Sequence, residues 1–394
     1  MPRVGKQINK VASQISEEPP QEEPEDQSSL LFVPSGSTLL NLAMSDDAFG
    51  GYGSGKAINS VGDSNTGKTL KALTGLMEMS LQERFDLWRL VYDDAEHALE
   101  MPVEDMFGPE LASRLEDPWG NKYGSPEFHA SETINVVKNN VLRLLEQSKK
   151  DGRPVFYILD SYDACTSAEE QARQKKEEKI EKKIEELRKD GKDEEADKAK
   201  GMNRDYPRGP AVLSELLRKS KAPLRDTQSN LMIISQTRDV MDPMTFGATK
   251  RRAGGNALRF YSSHEIWLAI GKGGAITKIV NGTSYIIGYH IRCRSQRSKV
   301  NGKRRDVPLI TYTEYGVDDI GANIDWLMQN KIWTGSKAKM STKGFHPDSP
   351  VSRENLITWI EERTTREDKL KRVVQKGWDG IEEKLKLHRR RRFE

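Results

Sequence analysis

INSVGDSNTGKT, residues 58–69, decides how the rest of this chain is read. An apolar run ending at Val61 predicts a buried strand, and Gly62, Asp63, Ser64, Asn65, Thr66, Gly67, Lys68 and Thr69 fit the pattern G-x-x-x-x-G-K-[ST]. Such a loop turns backbone N–H groups onto a polyphosphate, and the helix that follows points its positive end at the same charge. Lys68 is placed to reach the terminal phosphates and Thr69 to offer its hydroxyl to Mg²⁺. A chance glycine turn would need no strand before it and no helix after it, whereas residues 70–80 are rich in Leu, Ala and Met. The pattern predicts a bound nucleoside triphosphate.

Working outward, the chain alternates. Strands are expected at residues 87–92, around Phe128, at 155–159 and at 231–234. A helix over 132–149, capped by Ser131, places Ile134, Val137, Val141, Leu144 and Leu145 on one face. Strand and helix in alternation predict an α/β fold, a mostly parallel sheet covered by helices with ligands at the carboxyl ends of the strands. Asp160 and Gln236 fall at such ends beside the loop. Asp160 is then a second anchor for Mg²⁺, through its water shell. Glu96, just past another strand, is a carboxylate able to orient and deprotonate water, although position alone does not separate it from Asp93 or Asp94. Gln236 is an uncharged group able to touch a terminal phosphate and lose it on hydrolysis.

The chain has 394 residues, 31% of them charged, and a net charge of +3, so charge distribution rather than net charge must carry any argument about partners. Cys165 and Cys293 are too few for a disulfide framework or a metal cluster. The absence of an apolar run of membrane-span length and of a signal-peptide core places the protein in the cytoplasm, away from membranes. Residues 1–29 read as a short amphipathic helix and an acidic, proline-rich linker. Residues 30–320 form the expected core, and residues 321–394 a small, mostly helical C-terminal domain ending in four consecutive arginines. Within the core, residues 168–201 read as a charged helical insertion. Residues 237–256, TRDVMDPMTFGATKRRAGGN, form a long basic loop. Its Phe246, Lys250, Arg251 and Arg252 suit a DNA backbone and its bases. Later strands are expected at 265–270, 277–280 and 285–291, with Asn281-Gly282 as a hairpin turn. A cationic run follows them, and helices are expected at 323–333, 356–362 and 368–387.

With these residues in view, the chain resembles bacterial RecA recombinases over most of residues 35–375. The resemblance rests on YDDAEHALE at 92–100, ILDSYDA at 158–164 and SQTR at 235–238. Most specific is FGATKRRAGGNALRFYSS at 246–263. It implies a RecA-like ATPase core that uses ATP and Mg²⁺, with Glu96 activating water and Lys68 and Thr69 holding phosphates and metal. Gln236 would couple the γ-phosphate to a DNA-binding loop carrying Arg238, Phe246, Lys250, Arg251, Arg252, Gly254, Gly255 and Asn256. Glu100 stands where the family has an aspartate near the adenine, and Tyr315 where a tyrosine stacks on a neighbouring subunit's adenine. Arg297 and Lys299 match a lysine pair that reaches across a filament interface to the γ-phosphate. Arginine at one of these positions keeps the charge and changes the geometry. The implied function is an ATP-dependent recombinase that coats single-stranded DNA as a homo-oligomeric filament and exchanges strands with a duplex. Two rivals keep part of this: a non-filamentous repair accessory or ring motor, and a DNA-binding scaffold with a degenerate nucleotide site. Three departures stand out. The insertion occupies the place of the first DNA loop and leaves residues 203–220 as its remnant, the N-terminal helix is small, and the tail is basic. Such divergence is what is expected of a bacteriophage-encoded relative, although the sequence does not name its source.

Overall fold

In the computed structural model, which describes residues 30–166, 209–240, 249–252, 255–387 and 389, the unit Phe32–Glu394 is built on a ten-stranded sheet. The amino-terminal part runs β1 (Phe32–Val33), α1 (Thr38–Ser45), β2 (Tyr52–Gly53), β3 (Ala57–Gly62), α2 (Lys68–Ser80), β4 (Arg89–Asp93), α3 (Val103–Arg114) and β5 (Leu115–Glu116). The middle continues with α4 (Ile134–Asp151), β6 (Val155–Leu159), α5 (Gly209–Thr227), β7 (Asn230–Val240), β8 (Thr249–Arg252) and α6 (Gly255–Tyr261). Then come β9 (His264–Val280), β10 (Thr283–Ser298), β11 (Asp306–Tyr312), β12 (Gly316–Val317) and α7 (Asp319–Gln329). The short pair β13 (Thr334–Ser336) and β14 (Lys339–Ser341) precedes α8 (Arg353–Glu361) and α9 (Thr364–Leu385).

The main sheet has the order β12-β11-β10-β9-β3-β7-β6-β4-β5, with β8 folded back on β7. Every pairing from β9 through β5 is parallel, and those from β9 outward to β12 are antiparallel. Side chains alternate across a strand, so a strand buried along its whole length needs cover on both faces. One face presents Val91, Tyr157, Leu159, Leu231 and Ile233 to a core shared with α4 and α5. The alternate residues Leu90, Phe156, Ile158, Met232 and Ile234 are equally buried on the other face. Parallel strands, α-helical crossovers and covered faces make this a mixed α/β fold with a large, mostly parallel sheet.

Several expectations need correction. Phe128 lies in a turn, its N–H bonded to Ser125 O at 3.0 Å. Residues 117–129 are organised instead around the buried Asp117 carboxylate, which accepts the N–H groups of Trp119, Gly120, Asn121 and His129. The following helix begins at Ile134, capped by Thr133 Oγ1, which accepts Val136 N–H at 3.3 Å. Ser131 is spent elsewhere, its N–H on Asp93 at 2.7 Å and its hydroxyl accepting from Asn140. Residues 265–270 and 277–280 are one strand, β9, rather than two, because its pairing with β10 carries through Gly271–Gly274 by means of bulges. Asn281 and Gly282 do form the turn, at φ +50° and +79°. Helices α7, α8 and α9 each start a few residues earlier than expected, α7 because Asp318 caps it by accepting Gly321 N–H at 2.7 Å. The N-terminal helix and linker, the 168–201 insertion, Phe246, Gly254 and the arginine tail lie outside the described residues, apart from Arg389. Of the 203–220 remnant, residues 209–220 belong to α5.

Candidate active site

The glycine loop leaves β3 at Gly62 and enters α2 at Lys68. Its glycines are demanded by their surroundings. A Cβ on Gly62 would lie 2.5 Å from Thr66 Oγ1 and 2.8 Å from Leu268 O. Gly67 caps the helix at φ +74°, left-handed backbone that disfavours a side chain. Lys68 is buried, and its Nζ reaches back to Asp63 O at 2.6 Å, the same carbonyl that accepts Thr66 Oγ1 at 2.7 Å. Burial holds the Lys68 pKa below the usual lysine value, and the carboxylates of Asp160, Glu96, Asp63 and Asp163 partly offset it. An ammonium in this position has a ready exchange: a neutral carbonyl for a phosphate oxygen.

Asp160 closes the loop from the end of β6. Its Oδ2 accepts Thr69 Oγ1 at 2.5 Å and Tyr92 Oη at 2.7 Å. Burial raises the Asp160 pKa, and these hydrogen bonds oppose the rise. A hydroxyl and a carboxylate brought together in this way are hard oxygen donors of the kind Mg²⁺ takes while keeping several waters. The two residues therefore fit that ion.

The three acids after β4 separate by environment. Asp93 is fully buried and fixed by Tyr157 Oη and Ser131 N–H, and burial raises its pKa. Asp94 receives the N–H groups of Ala98 and Leu99 at 3.2 and 2.9 Å. Glu96 alone of the three faces the cavity. Its Oε1 accepts Ser161 Oγ and also Gln236 Nε2 at 2.9 Å. Gln236 is not at a strand end, since β7 runs on to Val240. It marks the last parallel pairing with β3, at Gly62. Its N–H donates to Asp163 Oδ2 at 2.7 Å, and the next residue, Thr237, donates its hydroxyl to Asp63 Oδ1. From Thr237 onward the backbone of β7 pairs with β8, bringing Thr237 opposite Arg252, Arg238 opposite Arg251 and Asp239 opposite Lys250.

A cavity of about 570 Å³ joins these parts, lined by Ser64 to Thr69, Glu96, Asp160 and Gln236. Its other wall includes Met101, Met106, Tyr289, Thr311 and Tyr312, residues that carry no motif and are brought in by α3 and the segment before it and by the pairing of β10 with β11. Thr311 also explains Gly67, since its Cγ2 would lie 3.1 Å from a Cβ there. Glu100 and Tyr315 do not line the cavity. Tyr315 is half exposed, its hydroxyl 3.4 Å from Glu361 Oε1, and burial together with that carboxylate pushes its pKa up to about 12. Arg297 and Lys299 lie at the far end of the sheet, because Ser298 between them pairs with His264, which pairs with Ile58 near the start of β3.

Matches among curated proteins agree with this arrangement. The chain is similar to RecA proteins. It is 23% identical over 348 residues to Protein RecA of Francisella tularensis subsp. novicida (strain U112), covering 87% of this chain and 79% of that protein. Identity and coverage are the same with Protein RecA of Francisella tularensis subsp. holarctica (strain LVS). No family model matches the chain. The likeness to RecA therefore stands at the level of a distant relative, with the glycine loop, Glu96 and Gln236 in one cavity.

Proposed function

We propose that this protein is a RecA-like, DNA-dependent ATPase that binds single-stranded DNA as a filament and promotes homologous pairing and strand exchange. The observation that carries this reading is the Gln236 bridge. One residue donates to Glu96 at 2.9 Å inside the nucleotide cavity and sits in the strand that continues into the cationic β7–β8 ladder. A γ-phosphate that competes for the Gln236 amide changes the ladder's anchor, which is how a bound triphosphate would govern a DNA-binding segment.

In the reaction, the N–H groups of the loop and Lys68 bind and orient the polyphosphate, Lys68 exchanging Asp63 O for a phosphate oxygen. Thr69 and Asp160 would hold Mg²⁺, whose contribution is to neutralise charge on the terminal phosphates. Glu96, held by Ser161 and Gln236, orients the attacking water and takes its proton. Loss of the γ-phosphate returns Gln236 to Glu96 alone and relaxes the ladder. Lys250, Arg251 and Arg252 would grip the DNA backbone and Phe246 would separate bases, while Tyr315, Arg297 and Lys299 would meet the nucleotide of an adjacent subunit.

The test measures oligonucleotide affinity with ATP, with ADP and without nucleotide, in the parent and in Gln236→Ala. The parent is expected to bind at least tenfold more tightly with ATP, and the variant to lose that difference while still hydrolysing ATP. Equal affinity of the parent in all three states would refute the coupling. Electron micrographs of the ATP and DNA complex separate a filament from a ring.

A further inference from the structure

Resting on the nucleotide site just proposed, we infer that Asp63 is a positioning residue that holds Thr237 while Lys68 rests on the Asp63 carbonyl and releases it when Lys68 turns to a polyphosphate. The bond exists because of where the sheet stops. β7 pairs with β6 only as far as Ile233 opposite Leu159, and with β3 only as far as Gln236 opposite Gly62. Past those points each former neighbour supplies a carboxylate in place of a ladder bond. From the segment after β6, Asp163 Oδ2 accepts Gln236 N–H at 2.7 Å. From the glycine loop, Asp63 Oδ1 accepts the Thr237 hydroxyl. Thr237 is also the first residue of β7 to pair with β8. The root of the cationic ladder is therefore clamped between the two segments that carry the nucleotide machinery.

A nucleotide acts differently on the two clamps. Asp163 stands on the turn Tyr162–Ala164, outside the glycine loop. Asp63 is inside it, and its carbonyl accepts Lys68 Nζ at 2.6 Å and Thr66 Oγ1 at 2.7 Å. The Lys68 ammonium is also within electrostatic reach of the Asp63 carboxylate. One residue thus offers its carbonyl to the lysine and its carboxylate to the threonine. When a polyphosphate draws off the ammonium, Asp63 loses a hydrogen bond and a counter-charge together, and its carboxylate is left beside a group of several negative charges. Like charges in a partly buried site repel, so the carboxylate turns away and its hold on Thr237 is broken. ADP and ATP both carry a β-phosphate within reach of the loop lysine, whereas only ATP has the γ-phosphate that competes for Gln236. Asp63 therefore reports that the loop is filled, and Gln236 reports with what.

A bond that nucleotide binding must break opposes that binding, so by linkage its removal strengthens it. Removing a strut with no such role weakens binding or leaves it alone. The experiment measures the affinity of the full chain for ADP with Mg²⁺, without DNA, by calorimetry. It compares the parent with Thr237→Val, which keeps the shape and loses the hydroxyl, and with Thr237→Ser, which keeps the hydroxyl. Thr237→Val is expected to bind ADP roughly fivefold more tightly or better, the lower end of couplings between sites, and Thr237→Ser to match the parent. Without nucleotide, Thr237→Val should bind oligonucleotide as weakly as the parent does with ADP, because the ladder has lost the same bond. Its preference for ATP over ADP should persist through Gln236. Equal or weaker ADP binding by Thr237→Val overturns the proposal, and so does a Thr237→Ser that behaves as the valine variant. A parent that binds no ADP refutes the nucleotide site and the proposal with it. A parent that binds ADP but holds oligonucleotide equally in every nucleotide state refutes the DNA coupling alone, and the ADP measurement then decides the Asp63 bond by itself.

Discussion

Glu96 and Asp93 are three residues apart and ask for opposite experiments. Glu96 holds only side-chain partners that a substrate can replace, Ser161 and Gln236. Glu96→Gln should therefore lower ATP turnover about 10²- to 10⁴-fold, the usual contribution of a positioned base, with nucleotide affinity retained. A variant with parent turnover would remove Glu96 from the chemistry. Asp93, buried against Tyr157 and the Ser131 N–H, belongs to folding, and Asp93→Ala should cost roughly 1–3 kcal/mol of stability by stranding those donors. Equal denaturation midpoints for parent and variant would contradict this. Lys71, one turn after Lys68, is buried and makes no ion pair among the described residues, its Nζ 3.0 Å from Tyr52 Oη. Burial lowers its pKa from 10.5 to about 8. Between those values the unfolded chain holds the extra proton, so stability rises with pH through this window, by up to about 1.4 kcal/mol per pH unit. The parent should gain on Lys71→Met over that range in melting experiments, and parallel curves would show that folding leaves the proton affinity of the amine unchanged.

At the level of elements, what could be read from the chain was what is local. The glycine loop, the α4 face of Ile134, Val137, Val141, Leu144 and Leu145, and the β6 run each carry their own period and ended where expected or within two residues. The misreadings have nonlocal causes. Thr133 displaced Ser131 as a cap because Ser131 is drawn to Asp93 on another strand, and the Phe128 segment folds around Asp117. The wall formed by Tyr289, Thr311 and Tyr312 could not be read at all, since it exists only once β10 and β11 pair. Gly288 sits at a register shift of β10, and a Cβ there would lie 2.2 Å from Thr311 O and 2.9 Å from the Tyr312 ring. Backbone cannot yield as a flexible side chain does. Gly288→Ala should cost about 1–3 kcal/mol by overpacking and raise the KM for ATP several-fold by moving that wall. An unchanged KM would mean that the β10–β11 ladder does not shape the nucleotide site.

Across the whole molecule, the sheet is polarised. Its carboxyl end holds the loop and Glu96, its opposite end holds Lys56, Arg297 and Lys299, and the C-terminal helices are tied to the flank between them. Lys371 of α9 meets Glu78 of α2 at 3.1 Å and Glu367 at 3.0 Å. Burial opposes its charge, yet the carboxylates of Glu78, Glu367 and Asp319 hold its pKa well above the usual lysine range. Asp319 in turn accepts the Thr38 N–H and hydroxyl at the start of α1, at 2.7 and 2.6 Å, and burial pushes its pKa up to about 6 despite Lys371. One ammonium thus compensates buried acids contributed by α2 and α7 while α1 is pinned to the same cluster. Removing one partner of such a group leaves charge buried without compensation, so Lys371→Met should lose about 3–5 kcal/mol at neutral pH. The Asp319 carboxyl binds its proton more readily folded than unfolded, so protonation near and below pH 6 relieves the strain of the missing cation. The deficit in denaturation midpoint should accordingly narrow between pH 7.5 and 5. A deficit that is small, or the same at both pH values, would mean that α9 is held by its apolar contacts through Leu370, Val374 and Trp378 and that the charges merely decorate them.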